Sequence, residues 1–421
     1  MKPVMIDSTS GSGEATLGAD IPDGHSLSYP LAVALAFTIA ISVASGLWRA
    51  WRPLVAGPDP VDVITFGPYW KHYLIPATLA AILASLAFGL AARAAGHRIG
   101  IVTVPRLWQV HSRPTPLLGS LALFAGMTAG VLVGARGALG SGKLVGAAVG
   151  VLGMGAVGFV DDLRGLTPRT RLFATAAVAE VAWMLGLRAD VFADGAAGTV
   201  ANALLTMLWF VVVTHAFNVF DNMDGASAGV ALASSLTIAA LGAVSNQGVL
   251  VILALAVAGG CIGYLAHNFF PARLYMGDSG ALALGFGVAA LGLMLEPPVK
   301  RPLGFALPVL AVAVPLFDTA LVTISRLRGR QRVAIGGTDH MTHRLHTAGF
   351  GVRAVAPFLF VAQATLGGMA LVIASVPRVT GWAILVLVGC AGVMTLLLFL
   401  RLPEWRPAER DSREVAAIAD R

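Results

Sequence analysis

Five aspartates stand out in a chain that is only 12% charged. Asp161, Asp162, Asp221, Asp224 and Asp278 each end or follow a long apolar run, where burying an unpaired carboxylate is costly, so something cationic is expected to meet them. One such residue alone reads as a helix cap or an interfacial charge, whereas five on distant segments read as a site. The adjacent pair in Gly158-Phe-Val-Asp-Asp-Leu-Arg-Gly165 can hold a divalent ion, or one member can ligate while the other accepts a proton. In His215-Ala-Phe-Asn-Val-Phe-Asp-Asn-Met-Asp-Gly225, helical spacing puts Asn218, Asp221 and Asn222 on one face, with Asp224 near the break at Gly225. Such a face can hydrogen-bond a base, a ribose or a diphosphate. Phe270-Pro-Ala-Arg-Leu-Tyr-Met-Gly-Asp-Ser-Gly280 presents Asp278 in a loop where Gly277 and Gly280 permit close approach of a ligand to the backbone. Hard oxygen ligands beside phosphates point to Mg²⁺, with Mn²⁺ as a substitute. Gly336-Gly-Thr-Asp-His-Met-Thr-His-Arg-Leu-His346 adds three histidines and an arginine. His340 and His343 at i, i+3 suit zinc by spacing, but no third ligand is evident, and donation to diphosphate oxygens is the preferred reading.

These residues need a scaffold, and the composition dictates its kind. The chain of 421 residues is 57% hydrophobic, which places most of its length in a bilayer. Apolar runs long enough to cross hydrocarbon occur at 30–48, 72–95, 117–135, 144–160, 170–187, 200–217, 226–243, 249–267, 279–296, 304–324, 354–375 and 382–400, about 11–12 transmembrane helices. The bilayer demands internally satisfied backbone, and these run lengths suit helices, so the fold class is all-α, a polytopic membrane helical bundle. Alternating the connections puts most of the 29 Lys and Arg residues on one side, together with all five aspartates and the histidine loop. The positive-inside rule makes that side the cytoplasm. The net charge of +7 thus reports orientation, and nucleic acid is not an expected partner. Cys261 and Cys390 lie in apolar runs and read as packing residues, so no disulfide framework or Cys metal site is available.

At these segments the chain resembles the polyprenyl-phosphate N-acetylhexosamine-1-phosphate transferase family. Asp161-Asp162 is similar to its aspartate pair, Asn218–Gly225 to its Asn-x-x-Asp-x-x-Asp-Gly run, and Met276–Gly280 to its Met-Gly-Asp-x-Gly loop. His340–Leu345 is similar to its histidine motif, and His111–Gly119 to the loop after its first core span. The resemblance covers roughly His72 to Leu400. It implies residues 1–71 as a tail plus an extra helix, 72–400 as the catalytic domain and 401–421 as a charged cytoplasmic tail. It also implies Asp278 as the principal Mg²⁺ ligand, with Asp161 and Asp162 handling the lipid phosphate and Asp162 sharing the metal. Asn218, Asp221 and Asp224 would position the nucleotide, His340, His343 and Arg344 its diphosphate and sugar, and His111 and Arg113 would add to the substrate site. The implied reaction moves a sugar 1-phosphate from a UDP-sugar to polyprenyl phosphate at the bacterial inner membrane, and a homodimer is allowed for. Four positions depart from the family pattern: Ser120, His215, Asn222 and Thr342. The alternatives are an ion-coupled transporter, which predicts carboxylates at mid-span and an internal repeat, and a non-catalytic scaffold, which would tolerate loss of the aspartates.

Overall fold

The computed structural model describes residues 71–103, 114–193, 195–330 and 337–404. Within them the chain is a helical bundle, with a single pair of two-residue strands. The helices are α1 (Lys71–Ile99), α2 (Gly119–Gly134), α3 (Gly142–Arg164), α4 (Pro168–Met184), α5 (Ala196–Phe220), α6 (Ala226–Val244) and α7 (Gly248–Asn268). They continue as α8 (Gly277–Met294), α9 (Leu303–Ala311), α10 (Ala313–Arg328), α11 (Met341–Thr347), α12 (Val352–Ser375) and α13 (Arg378–Phe399). Eight of these are long and apolar enough to cross a membrane, which makes the protein a multi-span membrane protein. The expected span at 30–48 lies outside the described residues, as do His111 and Arg113.

Three expected spans take a different form, the first being the run 117–135, which forms the 16-residue α2 and is shorter than the helices that can cross. The run 304–324 is not one helix but α9 and α10, bent by 80° at a break after Ala311. Breaking a helix in hydrocarbon frees backbone groups that must find partners. Gln363, fully buried on α12, supplies them: its Oε1 accepts from Val314 N at 3.0 Å and its Nε2 donates to Leu310 O at 2.9 Å. The run 170–187 forms the 17-residue α4, opened by the Thr167 cap and Pro168, and falls short of the length of an apolar crossing helix.

The centre of the bundle is α8. It packs against α3 and α5 and touches α2, α6, α7 and α9, and nearly all of it is buried. In lipid such packing depends on close backbone approach. A Cβ on Gly285 would sit 2.8 Å from Thr214 O of α5, so glycine is required there. By contrast, the outward faces of α1 and α13 carry exposed Leu79, Leu83, Val386 and Leu387, as a lipid-facing surface does.

The strands β1 (Val102–Thr103) and β2 (Thr115–Pro116) pair antiparallel. They join the rest of the bundle through Tyr275, whose amide donates to Pro116 O at 2.9 Å and whose carbonyl accepts from Gly119 N at 2.8 Å. The aspartate-bearing ends of α3, α5 and α8 and the histidine loop thereby gather at one end of the bundle. The opposite end is closed by Lys143–Glu296 and Arg301–Asp190 ion pairs.

Candidate active site

Asp278 occupies the first turn of α8, and three neighbours fix it. Asp162, at the end of α3, accepts from Asp278 N at 2.9 Å and from Ser279 N at 3.1 Å, capping α8 from a separate helix. Asn218 Nδ2 donates to Asp278 Oδ1 at 2.7 Å. Gly277 turns the chain into the helix with φ +67°, and a Cβ there would lie 2.6 Å from Asp162 Oδ2. Asp278 Oδ2 makes no hydrogen bond among the described residues.

Asp161 faces a different set of partners. Its Oδ1 accepts from Leu166 N at 2.6 Å, and its Oδ2 lies 3.1 Å from Arg171 Nη1 of α4, an ion pair without hydrogen-bond alignment. His215, one of the departures, bonds Thr175 Oγ1 on α4 at 3.0 Å. It therefore ties α5 to α4 one turn before Asn218.

The turn after α5 carries Asp221 and Asp224. Asp224 accepts from Ala272 N at 2.9 Å and from the Tyr275 hydroxyl at 3.1 Å, which anchors the loop ahead of Asp278. The negative charge this places against the Tyr275 phenol adds to its burial, and together they push it well above the ordinary phenol range. Asn268 completes the frame: its Oδ1 accepts from Gly225 N at 3.0 Å and its Nδ2 donates to Leu274 O at 3.0 Å. Tyr264 donates to the same carbonyl at 3.2 Å. Neither Asn268 nor Tyr264 carries a sequence signal, since each is one polar residue within an apolar helix.

Asp221 is the exception to this network. Its carboxylate makes no hydrogen bond or ion pair among the described residues. Burial, then the charges of Asp278, Asp224 and Asp162, push it up to about 8. A carboxylate crowded by three others and lacking a partner suits a cation. No group of three or more His, Cys, Asp or Glu forms a ready-made metal cage among the described residues. Mg²⁺ needs no such cage, because it takes one or two carboxylates and completes its shell with water and phosphate. The donor set of Asp278 Oδ2 and Asp221 fits that habit. Asp162, expected to share the metal, already accepts an amide on each oxygen.

The histidine loop is built on α10. Asp318, with no exposed surface, accepts from Met341 N at 2.6 Å and lies 2.9 Å from His340 Nδ1. Arg326 grips Asp339 with two bonds of 2.7 Å. Burial raises the Asp339 carboxyl, but the Arg326 bonds and charge outweigh it and hold the group below the ordinary range. His343 is buried beside His340 with ring centroids 5.9 Å apart. Burial first, and the neighbouring His340 second, push it down to about 4. The loop meets the aspartate turn where Thr342 Oγ1 donates to Asn222 Oδ1 at 2.5 Å, so two of the four departures pair with each other.

Arg344 does not face this site. It is 2% exposed, and its nitrogens donate to Asp339 O, Phe399 O, Leu402 O, Ser325 Oγ and Glu404 Oε1 at 2.6–3.2 Å. These bonds clasp the end of α13 and engage the guanidinium expected to contact the donor diphosphate. The structure thus brings together Asp162, Asn218, Asp221, Asp224 and Asp278, joins His340 and His343 through Thr342, and turns Arg344 away.

The five aspartates lie at helix ends and turns, not at mid-span as a transporter would place them. A model of glycosyl transferase family 4 matches residues 144–296, the segment from α3 through α8. A probable undecaprenyl-phosphate N-acetylglucosaminyl 1-phosphate transferase of Bacillus subtilis is 31% identical over 262 residues, covering 61% of this chain and 72% of the relative. A decaprenyl-phosphate N-acetylglucosaminephosphotransferase of Mycobacterium tuberculosis is 30% identical over 356 residues, covering 76% and 88%. A phospho-N-acetylmuramoyl-pentapeptide-transferase of Moorella thermoacetica is 38% identical over 141 residues, covering 32% and 42%. With the motif-bearing ends of α3, α5 and α8 inside the matched region, the chain belongs to glycosyl transferase family 4, the polyprenyl-phosphate N-acetylhexosamine-1-phosphate transferases.

Proposed function

We propose that the protein transfers an N-acetylhexosamine 1-phosphate, N-acetylglucosamine 1-phosphate in the first instance, from its UDP-sugar to polyprenyl phosphate at the cytoplasmic face of the inner membrane. An acceptor phosphate oxygen forms a bond to the β-phosphorus of the donor, and the bond from that phosphorus to the bridging oxygen breaks, releasing UMP. The observation that carries this reading is Asp278, held at a helix N-terminus by Asp162 and Asn218 with one oxygen unbonded, its charge acting on the unpartnered Asp221.

Each side chain then has a task. Asp162 closes α8 and keeps Asp278 in place, while Asn218 orients the Asp278 carboxylate. Asp278 and Asp221 would hold Mg²⁺, which when bound neutralises charge on the phosphates. Asp224 steadies the loop through Tyr275, and His340 with His343 would meet the donor diphosphate from the opposite side. A phosphate monoester is already ionised near neutrality, so the acceptor needs no strong base. The engagement of both Asp161 and both Asp162 oxygens favours direct attack by the acceptor over a covalent aspartyl intermediate at either residue.

Asp278→Asn in the purified full-length protein should abolish UMP release from UDP-N-acetylglucosamine and polyprenyl phosphate in Mg²⁺. Turnover like that of the unmodified protein would overturn the assignment of the site.

A further inference from the structure

Asp318 is a carboxylate with no exposed surface, carried inside α10, and nothing in the transfer chemistry above uses it. Burying a lone carboxylate is costly, so its partners define its purpose. Both oxygens address the histidine loop: Oδ1 takes the Met341 amide at 2.6 Å and Oδ2 the His340 ring at 2.9 Å. The first bond satisfies an orphan amide at the start of α11, and His340 is the residue that precedes that helix. The second acts on one nitrogen only, Nδ1. With its other oxygen already accepting the Met341 amide, the carboxylate serves the ring as an acceptor, an arrangement that calls for the proton on Nδ1. His340 Nε2 makes no hydrogen bond among the described residues, and the ring sits beside His343, in the loop that Thr342 ties to Asn222.

We infer that Asp318 is a positioning residue for the transfer reaction: it holds His340 with Nδ1–H directed into the protein and Nε2 presented to the donor diphosphate. A histidine ring can otherwise rotate or exchange tautomers, and a second group bonded to the far nitrogen removes both freedoms. In its protonated form Nε2 donates to a diphosphate oxygen. Asp318 supports that contact without touching the substrate. The inference rests on the donor-site reading of His340 given above.

The test is a double-mutant cycle in the full-length protein, with steady-state transfer measured against UDP-N-acetylglucosamine and, separately, against polyprenyl phosphate. Asp318→Asn should lower kcat/KM for the donor by roughly 10- to 100-fold, with the acceptor KM nearly unchanged. Once His340→Gln is present, Asp318→Asn should add less than about a threefold further loss, because both changes remove one contact. A further loss as large as in the His340-containing protein, or an equal rise in both KM values, overturns the positioning role. Asp318→Glu, which keeps the charge and displaces it by a methylene, should repeat the donor-selective loss and covers the case in which Asp318→Asn does not fold. Unimpaired turnover in His340→Gln alone would instead overturn the donor-site reading.

Discussion

Asp162 caps the helix that begins at Gly277, its two oxygens accepting the amides of Asp278 and Ser279 at 2.9 and 3.1 Å. Asp278 and its partner on α3 are therefore different in kind: one is held and the other holds it. Asp162→Ala leaves two buried helix amides without a partner, at a cost of about 1–3 kcal/mol each, and lets Asp278 drift. It should lower both the melting temperature and UMP release. Asp278→Asn, which keeps the cap intact, should lose UMP release while melting within a few degrees of the unmodified protein. Thermal unfolding in detergent separates the two, and equal melting of Asp162→Ala and the unmodified protein would contradict the capping role.

Gly277 combines a left-handed backbone with a close approach to Asp162. Gly277→Ala imposes roughly 1–2 kcal/mol of backbone strain and pushes the Asp162 carboxylate away from the amides it caps. Turnover should fall by roughly 5- to 30-fold, since 1.4 kcal/mol in a barrier corresponds to a factor of ten. Gly280→Ala places its methyl against the Met276 side chain and not against a carboxylate, so the kinetic loss should be smaller.

His343 is held neutral, at about 4 against an ordinary value near 6.5. Between those values the unfolded chain binds a proton that the folded chain refuses. Stability from this group is therefore complete above about pH 6.5 and falls as pH drops towards 4, by about 3 kcal/mol in all. Asp339 is held below its ordinary value of 3.8, so what it contributes is lost below this window. Melting temperature measured from pH 7 to pH 4 should decline less steeply in His343→Asn than in the unmodified protein, and parallel curves would contradict this.

Arg344 ties the histidine helix to Phe399 and Leu402 through their carbonyls. Lysine has no planar fork to meet Asp339 O, Ser325, Glu404 and both carbonyls together. Arg344→Lys should lower thermal stability by the equivalent of about 1–3 kcal/mol, the cost of leaving a buried acceptor unpaired. Glu404→Ala, which removes one exposed partner, should shift the melting temperature far less. A melting temperature unchanged by Arg344→Lys would contradict the clasp.

The bilayer-sized apolar runs and the polar residues that interrupt them made the bundle and its aspartate end readable from sequence. Partner choice was not readable in the same way. Asp161 and Asp162 are adjacent, yet one accepts from Leu166 and pairs in charge with Arg171 while the other caps a helix more than a hundred residues on. Arg344 follows His343 directly and points elsewhere, because α11 turns it towards the end of α13. Asp318 and Gln363 lie inside apolar helices, and their roles depend on a loop and on a helix break that periodicity does not reveal. Asn222 and Thr342 each look like an isolated departure, and only their 2.5 Å contact shows them as a pair.

The most direct test of sugar-phosphate transfer follows the β-phosphorus. Purified protein would be incubated with polyprenyl phosphate, Mg²⁺ and UDP-N-acetylglucosamine labelled at the β-phosphate, and the lipid and aqueous fractions counted separately. Label is expected in the lipid fraction, one labelled lipid for each UMP released. Label remaining in the aqueous fraction as UDP while sugar enters the lipid would contradict sugar-phosphate transfer.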